Sequence, residues 1–292
     1  MKLLFSIAIF LIVNSSLSQP NWIKVKNKAN LPVPFATLII IKNNSFYIAD
    51  SAGWLPEKLV QKIKEGDTVL LSAIGYESAI DVFYKGKEFV LKEQIIELPE
   101  VVLVNGEGKN EIWGSADHGS YCTQGFENPN FILARIVYPL GKALKAEIQS
   151  VSFLDKMGHG LNAPLRVRIF FIGKDSLPTG DYLKENIILN TKGKGWIETD
   201  LRNLGLIIPK EGLAFGVELF ENREEYYFTD TRRTGDGKKY KQEMYGVRLG
   251  REKDKNNLTL VKFNSWNPWM IDRVGHKYCG NLVCRVKVKV WR

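Results

Sequence analysis

The chain has 292 residues, 45% hydrophobic and 25% charged, with no low-complexity tract; this excludes a disordered or fibrous protein and leaves room for two ordinary domains. The net charge is +9 and uneven: Gln19 to Val104 carries 10 Lys and Arg against 10 Asp and Glu, whereas Asn105 to Arg292 carries 30 against 22. Aromatics, β-branched runs and 25 glycines predict an all-β protein, and no internal repeat of fixed period occurs.

Lys2 precedes an apolar run, Leu3 to Val13, broken only by Ser6, and Ser16-Leu17-Ser18 offers small residues where a signal peptidase reads. These features predict a secretory signal peptide over residues 1–18, cut before Gln19, and an exported protein of the periplasm, the outer-membrane periphery or the medium. The run falls well short of the ~20 residues that span a bilayer. No Cys stands at the cut for lipid attachment, and no later run is long enough to cross, so no transmembrane segment is expected after cleavage.

Leu31 to Val82 alternates apolar runs with turns. Ala36 to Ile41 is a β-branched run between turn formers and predicts a buried strand. Pro32 and Pro34, which lack an N–H, suit its entry. Lys42 to Ser45 predicts a turn, Phe46 to Ala49 a returning strand, and Asp50 to Gly53 a second turn. Leu59, Val60 and Ile63 recur at helical spacing, so Pro56 to Lys64 predicts one short helix opened by proline. Glu65 to Asp67 ends it, Thr68 to Ile74 is a further strand, and Gly75-Tyr76 breaks that strand.

The order LPVPFATLII, then SFYIADSAGW, then KEGDTVLLSAIGYES resembles the carboxypeptidase regulatory-like domain, a transthyretin-like β-sandwich of TonB-dependent receptor N-termini and other bacterial envelope proteins. The matching pieces are Pro32 to Thr37, Asp50 to Gly53, and Gly66-Asp67 through Ile74-Gly75-Tyr76. Leu98 to Val104 resembles the segment that often follows the module. The resemblance covers about residues 22–104 and implies a fold; the family is a structural module and brings no catalytic residues. The helix at Pro56 to Lys64 departs from its commonest strand-only form. TonB-dependent transport itself is not expected, because residues 105–292 are too few to build a plug and a large barrel.

Asn105 to Ser120, rich in Gly and polar residues without period, predicts a linker. Beyond it, Phe131 to Tyr138, Ala146 to Leu154, Leu165 to Ile172, Trp196 to Leu201, Leu213 to Phe220, Tyr226 to Thr229, Met244 to Leu249, Leu258 to Phe263 and Arg285 to Trp291 read as strands. They predict a second, jelly-roll-like β-sandwich over residues 121–292, in tandem with the first over 19–104. Asp200 to Pro209 with Ala214 to Glu218 resembles a segment that follows the regulatory-like module in other envelope proteins, and implies no activity.

Chemistry-bearing motifs are sparse. His118, His159 and His276 have no partner at a metal-ligand spacing, and no nucleophile elbow, phosphate loop or dinucleotide fingerprint occurs. No catalytic residue, metal or cofactor is therefore expected. Trp266-Asn267-Pro268-Trp269 sets two indoles three residues apart: on a sandwich surface they would stack on sugar rings, and otherwise they cap the core. Thr231 to Lys241 predicts a hairpin turning at Thr234 to Gly237. Its cations, Arg232, Arg233, Lys238, Lys239 and Lys241, would either hold phosphate or sulfate or form a solvated tip. The expected partner is an anionic or neutral envelope polysaccharide or an outer-membrane protein. Nucleic acid is not expected outside the cytoplasm.

Three cysteines, Cys122, Cys279 and Cys284, leave at least one thiol free or paired between chains. A four-residue loop over Gly280 to Val283 would set Cys279 and Cys284 opposite each other, about 4.5 Å apart at Cα and able to bridge. A two-residue turn at Gly280-Asn281 would make them diagonal neighbours about 7–8 Å apart, too far to bridge. The function these features predict is a non-catalytic envelope binding or scaffolding protein. A carbohydrate-binding module, and a hydrolase with a site in the second domain, are the alternatives.

Overall fold

The computed structural model describes residues 23–95, 104–115, 122–126, 131–156, 161–219, 224–252, 258–263, 268–271 and 280–292. The predicted signal peptide, the three histidines, Trp266 and Cys279 lie outside these residues. The fold is all-β, and the chain divides between Gln94 and Ile95 into two compact units.

The first unit comprises β1 (Val25–Asn27), β2 (Thr37–Ile40), β3 (Ser45–Ile48), a single helical turn α1 (Glu57–Val60), β4 (Thr68–Ser72), β5 (Ala79–Val82) and β6 (Phe89–Leu91). Strands β3, β2, β4 and β5 form an antiparallel sheet in that order, and β1 pairs in parallel with β6. The β-branched run of β2 is buried at every position, as its unbroken apolarity predicts. Leu38, Ile40, Val69 and Leu71 from the sheet close one core with Val25, Phe89 and Leu91. The predicted helix shortens to Glu57–Val60, yet Leu59 and Ile63 enter this core at the spacing that signalled them. Gly53 has φ +77°, and a Cβ there would lie 2.6 Å from the Val25 carbonyl oxygen, so the turn admits only glycine.

The second unit begins with β7 (Lys109–Gly114), β8 (Cys122–Gly125), β9 (Phe131–Val137), β10 (Lys145–Asp155) and β11 (Pro164–Ile172). It continues through β12 (Pro178–Asp181), β13 (Ile187–Asn190), β14 (Gly195–Asp200), β15 (Leu213–Leu219), β16 (Tyr227–Arg233) and β17 (Lys239–Tyr245). It ends with β18 (Arg248–Glu252), β19 (Thr259–Phe263), β20 (Met270–Ile271), β21 (Asn281–Leu282) and β22 (Cys284–Trp291). One seven-stranded sheet runs β21-β18-β10-β22-β7, with β14 on β10 and β8 on β18; the other runs β12-β11-β15-β9-β19-β20, with β13 on β11. Strands β16 and β17 form a separate hairpin.

The two sheets face each other through Val151, Phe153, Val286 and Val288 on one side and Leu133, Val167, Ile169 and Val217 on the other, all buried. Arg135 of β9 crosses the interface. It donates to the Ser115 hydroxyl (2.6 Å) and the Leu282 carbonyl (3.0 Å), and pairs with Glu252.

Within the predicted linker at 105–120, Lys109–Gly114 is strand β7, paired with β22 from Lys109–Val290 to Gly114–Arg285. An edge strand whose outward positions are Asn110 and Ile112 reads like a linker, and Trp113, 1% exposed, is its one fully buried side chain. Gly114 has φ +96°, and a Cβ there would meet the Cys284 carbonyl oxygen at 2.4 Å, so the glycine that suggested a flexible connection serves a close approach of two strands.

Candidate functional site

Outward and inward residues alternate on both strands flanking β10. On β14, Trp196, Glu198 and Asp200 point outward; on β22, Arg285, Lys287, Lys289 and Trp291 do, while Val286, Val288 and Val290 are buried. The register sets Asp200, Ser150, Lys287 and Ile112 in one row across β14, β10, β22 and β7. A register shift in β10 between Ile148 and Ser150 leaves Gln149 as the additional residue beside this row. A cleft of about 690 Å³ opens over the row, walled by Asn110 and Glu111 on one side and by Arg202, just past β14, on the other. Every lining residue belongs to the second unit.

The cleft's charges are paired. Glu198 Oε1 accepts from the Ser150 hydroxyl (2.6 Å) and from Lys287 Nζ (2.7 Å). The Arg202 guanidinium lies bidentate on Asp200, with Nε 3.0 and 2.9 Å from the two carboxylate oxygens. Glu111 accepts from the Trp113 indole (3.0 Å) and from both terminal nitrogens of Arg292 (2.5 and 3.0 Å). Each carboxyl is consequently held below its usual range: Asp200 at about 2 by Arg202, Glu198 by Lys287 and then Ser150, Glu111 by Arg292 and then Trp113. Farther along this face the Arg285 guanidinium stacks 4.0 Å from the Trp196 ring centroid, and the Lys145 and Lys289 ammoniums lie 4.9 and 5.3 Å from that of Trp291.

The basic hairpin forms where predicted, but its register divides the cations. Arg233 opposes Lys239 and Thr231 opposes Lys241, on the exposed face; Arg232 opposes Tyr240 on the other. That second face turns toward β8, because a Cβ on Gly125 would meet Met244 Cε at 2.7 Å and Arg232 Nη2 at 3.6 Å. Arg232 there faces Asp230 (3.6 Å), which also binds Arg248, and Lys238 pairs with Asp236 in the turn (3.3 Å). Three of the five predicted cations, Arg233, Lys239 and Lys241, thus share one outward surface.

Trp269 does not present a free ring. It packs edge-on against Phe170 (4.9 Å, 75°) beside a core of Ile132, Ala134, Ile136, Ala214 and Leu260 on the outer face of the second sheet, and Lys262 lies 5.7 Å from its ring centre. Next to it sits an ion cluster that sequence reading missed. Arg166 binds Glu218 bidentately (3.0 and 2.9 Å), and Arg168 joins Glu218 to Asp181 (2.9 and 2.7 Å to the latter). The two guanidiniums hold Glu218 at about 2 against its burial, whereas burial outweighs Arg168 at Asp181 and pushes that carboxyl up. Burial, then Arg168, lowers Lys262.

The bridge between Cys279 and Cys284 does not form, because Cys284 is a free, buried thiol pushed up to about 12 by burial. The chain does not turn back on itself there: Asn281–Leu282 pairs with β18, Val283 N–H donates to the Gly250 carbonyl (2.9 Å), and Cys284 opens β22. Cys122 is disulfide-bonded. Among the described residues no group of three His, Cys, Asp or Glu could hold a metal ion, and no helix is long and apolar enough to cross a membrane.

The carboxylates of β14 and the lysines of β22 were each legible as outward positions of alternating strands. Their meeting depends on β10 standing between them, which no local signal shows. A comparison of the chain with protein-family models, with curated proteins and with solved structures finds no match.

Proposed function

We propose that this is a non-catalytic protein of the bacterial cell envelope that binds or scaffolds. In this reading residues 1–18 are a signal peptide, residues 19–104 a carboxypeptidase regulatory-like module, and the outer sheet face of the second unit holds the ligand. One observation carries the binding reading. The carboxyls that line the cleft, Glu198, Asp200 and Glu111, are all held ionised by cations and N–H or O–H donors. Hydrolysis of a glycosidic bond needs one carboxylic acid that keeps its proton near neutral pH. A set of committed carboxylates is suited instead to accepting hydrogen bonds from a bound molecule. The module is supported by the first unit, where Leu31 to Val82 supplies β2 to β5 around one core and turns at the residues that carry the resemblance.

The test uses the full chain, incubated at neutral pH with insoluble envelope material from a Gram-negative bacterium. It should cosediment and release no soluble sugar or peptide. Release of fragments would make it a hydrolase, and failure to cosediment would remove the binding function.

A further inference from the structure

We infer that the cleft over β14, β10, β22 and β7 takes a neutral oligosaccharide segment lying on the sheet face, an inference that rests on the binding reading above. The charges decide the class of ligand. Glu198, Asp200 and Glu111 are matched by Lys287, Arg202 and Arg292, so the site carries no net charge. A phosphate or sulfate drawn to Lys287 meets the Glu198 carboxylate, 2.7 Å from the ammonium. A cation drawn to Asp200 meets the guanidinium already lying on it. Opposite charges this close cancel each other's pull on a third ion.

A hydroxyl is treated differently. It donates to a carboxylate and accepts from an ammonium or guanidinium N–H, so it adds to both pairs without breaking either. The capacity for this is present. Glu198 Oε2, Arg202 Nη1 and the Asn110 amide make no hydrogen bond among the described residues, and Lys287 donates only to Glu198. Ile112, 52% exposed in the same row, supplies an apolar surface for the C–H face of a sugar ring, and Trp196, 37% exposed, stands next to Glu198 on the outward side of β14. The cleft crosses three strand intervals, about 14 Å, and its volume of about 690 Å³ lies within the range of small-ligand sites.

Calorimetric titration of the full chain tests this, with neutral hexasaccharides of glucose, xylose, mannose and N-acetylglucosamine, and with polygalacturonate as the anionic probe, at about 50 and about 500 mM NaCl. At least one neutral hexasaccharide should bind, with an affinity that changes less than about twofold between the two salts, because no counterions are exchanged. Lys287→Met and Ile112→Asp, both at exposed positions and checked for fold by circular dichroism, should each weaken it about tenfold or more. Lys239→Met on the hairpin should leave it unchanged. Binding of polygalacturonate alone, lost in high salt and in Lys287→Met, would overturn the neutral class while leaving a binding cleft in place. Absence of binding to any probe, or binding untouched by both cleft variants, would overturn the inference. Continued cosedimentation with envelope material in that case would keep the envelope-binding reading and move it to another surface.

Discussion

Replacing Glu218 by Gln keeps its volume and removes the charge that compensates two guanidiniums. The side chains of Arg166 and Glu218 are only 3% and 4% exposed, and Arg168 reaches the same carboxylate. Breaking a buried pair by neutralising one partner costs about 3–5 kcal/mol. The shifted carboxyl gives the same scale: held at about 2 instead of its ordinary 4.5, it contributes about 3 kcal/mol at neutral pH. For a unit of this size that is a fall of about 10 °C in midpoint, measured by urea and thermal unfolding followed by circular dichroism. The sign with pH follows. The folded carboxyl titrates below the unfolded one, so the unfolded chain takes up the proton first as pH falls; the stabilisation is full above 4.5 and is lost as pH drops toward 2. Asp181, raised by burial, works in the opposite sense. The difference between wild type and Glu218→Gln, rather than the wild type alone, therefore isolates Glu218, and it should shrink as the solution is acidified through that window. The double variant Arg166→Met with Glu218→Met leaves Arg168 its partner Asp181 and should be less destabilised than Glu218→Gln. A loss under about 1 kcal/mol for Glu218→Gln would refute the argument, since only a solvent-screened pair costs so little.

Two further predictions concern the other groups the sequence singled out. Mapping of unreduced peptides from the purified protein should find Cys122 in a disulfide, with Cys284 alkylated only after denaturation; a disulfide at Cys284 would contradict its burial as a free thiol at the start of β22. On an anionic polysaccharide matrix at low salt, Arg233→Glu with Lys239→Glu and Lys241→Glu should abolish any retention of the chain, whereas Arg232→Glu, on the face turned toward β8, should reduce it far less; equal effects would show that the hairpin's two faces are not distinct.

The fold was legible wherever a strand's own residues carried its burial. β2 and β4 are apolar runs, and β22 alternates Arg-Val-Lys-Val-Lys-Val, so each declares its inward side without reference to a neighbour. Of the strands that escaped notice, β1, β5 and β6 of the first unit are short, while β7, β8, β12, β13, β20 and β21 of the second are short, polar or broken by glycine, and depend on pairing with longer partners. β12 contains Pro178 and Gly180 and would be passed over by any propensity, yet Asp181 at its end meets Arg168 two strand positions from the Phe170 it opposes.

The same contrast explains why the indoles singled out in the sequence differ from those on the cleft's face. Trp266-Asn267-Pro268-Trp269 is conspicuous because two aromatics fall close together in a turn-rich stretch, but proximity in sequence says nothing about which side of a sheet a ring covers, and Trp269 is spent on Phe170. Trp196 sits alone among charges in Gly-Trp-Ile-Glu-Thr-Asp, and its meaning comes from period: two residues before Glu198 and four before Asp200, it must share their face. That face becomes a site only when β10 brings β14 and β22 to its two sides, so that Glu198 of one strand meets the Lys287 ammonium of the other and Trp196 meets the Arg285 guanidinium. Each ion pair lowers the net charge of the surface while leaving oxygen lone pairs and N–H groups directed outward, and this is the physical difference between the sheet face and the hairpin. On the hairpin's outward face Arg233, Lys239 and Lys241 stand against the single carboxylate of Glu243 and attract any polyanion through a field that salt erases. On the sheet face the charges cancel at long range, and recognition is left to hydrogen bonds and ring contact at short range, which depend on the shape of what is bound.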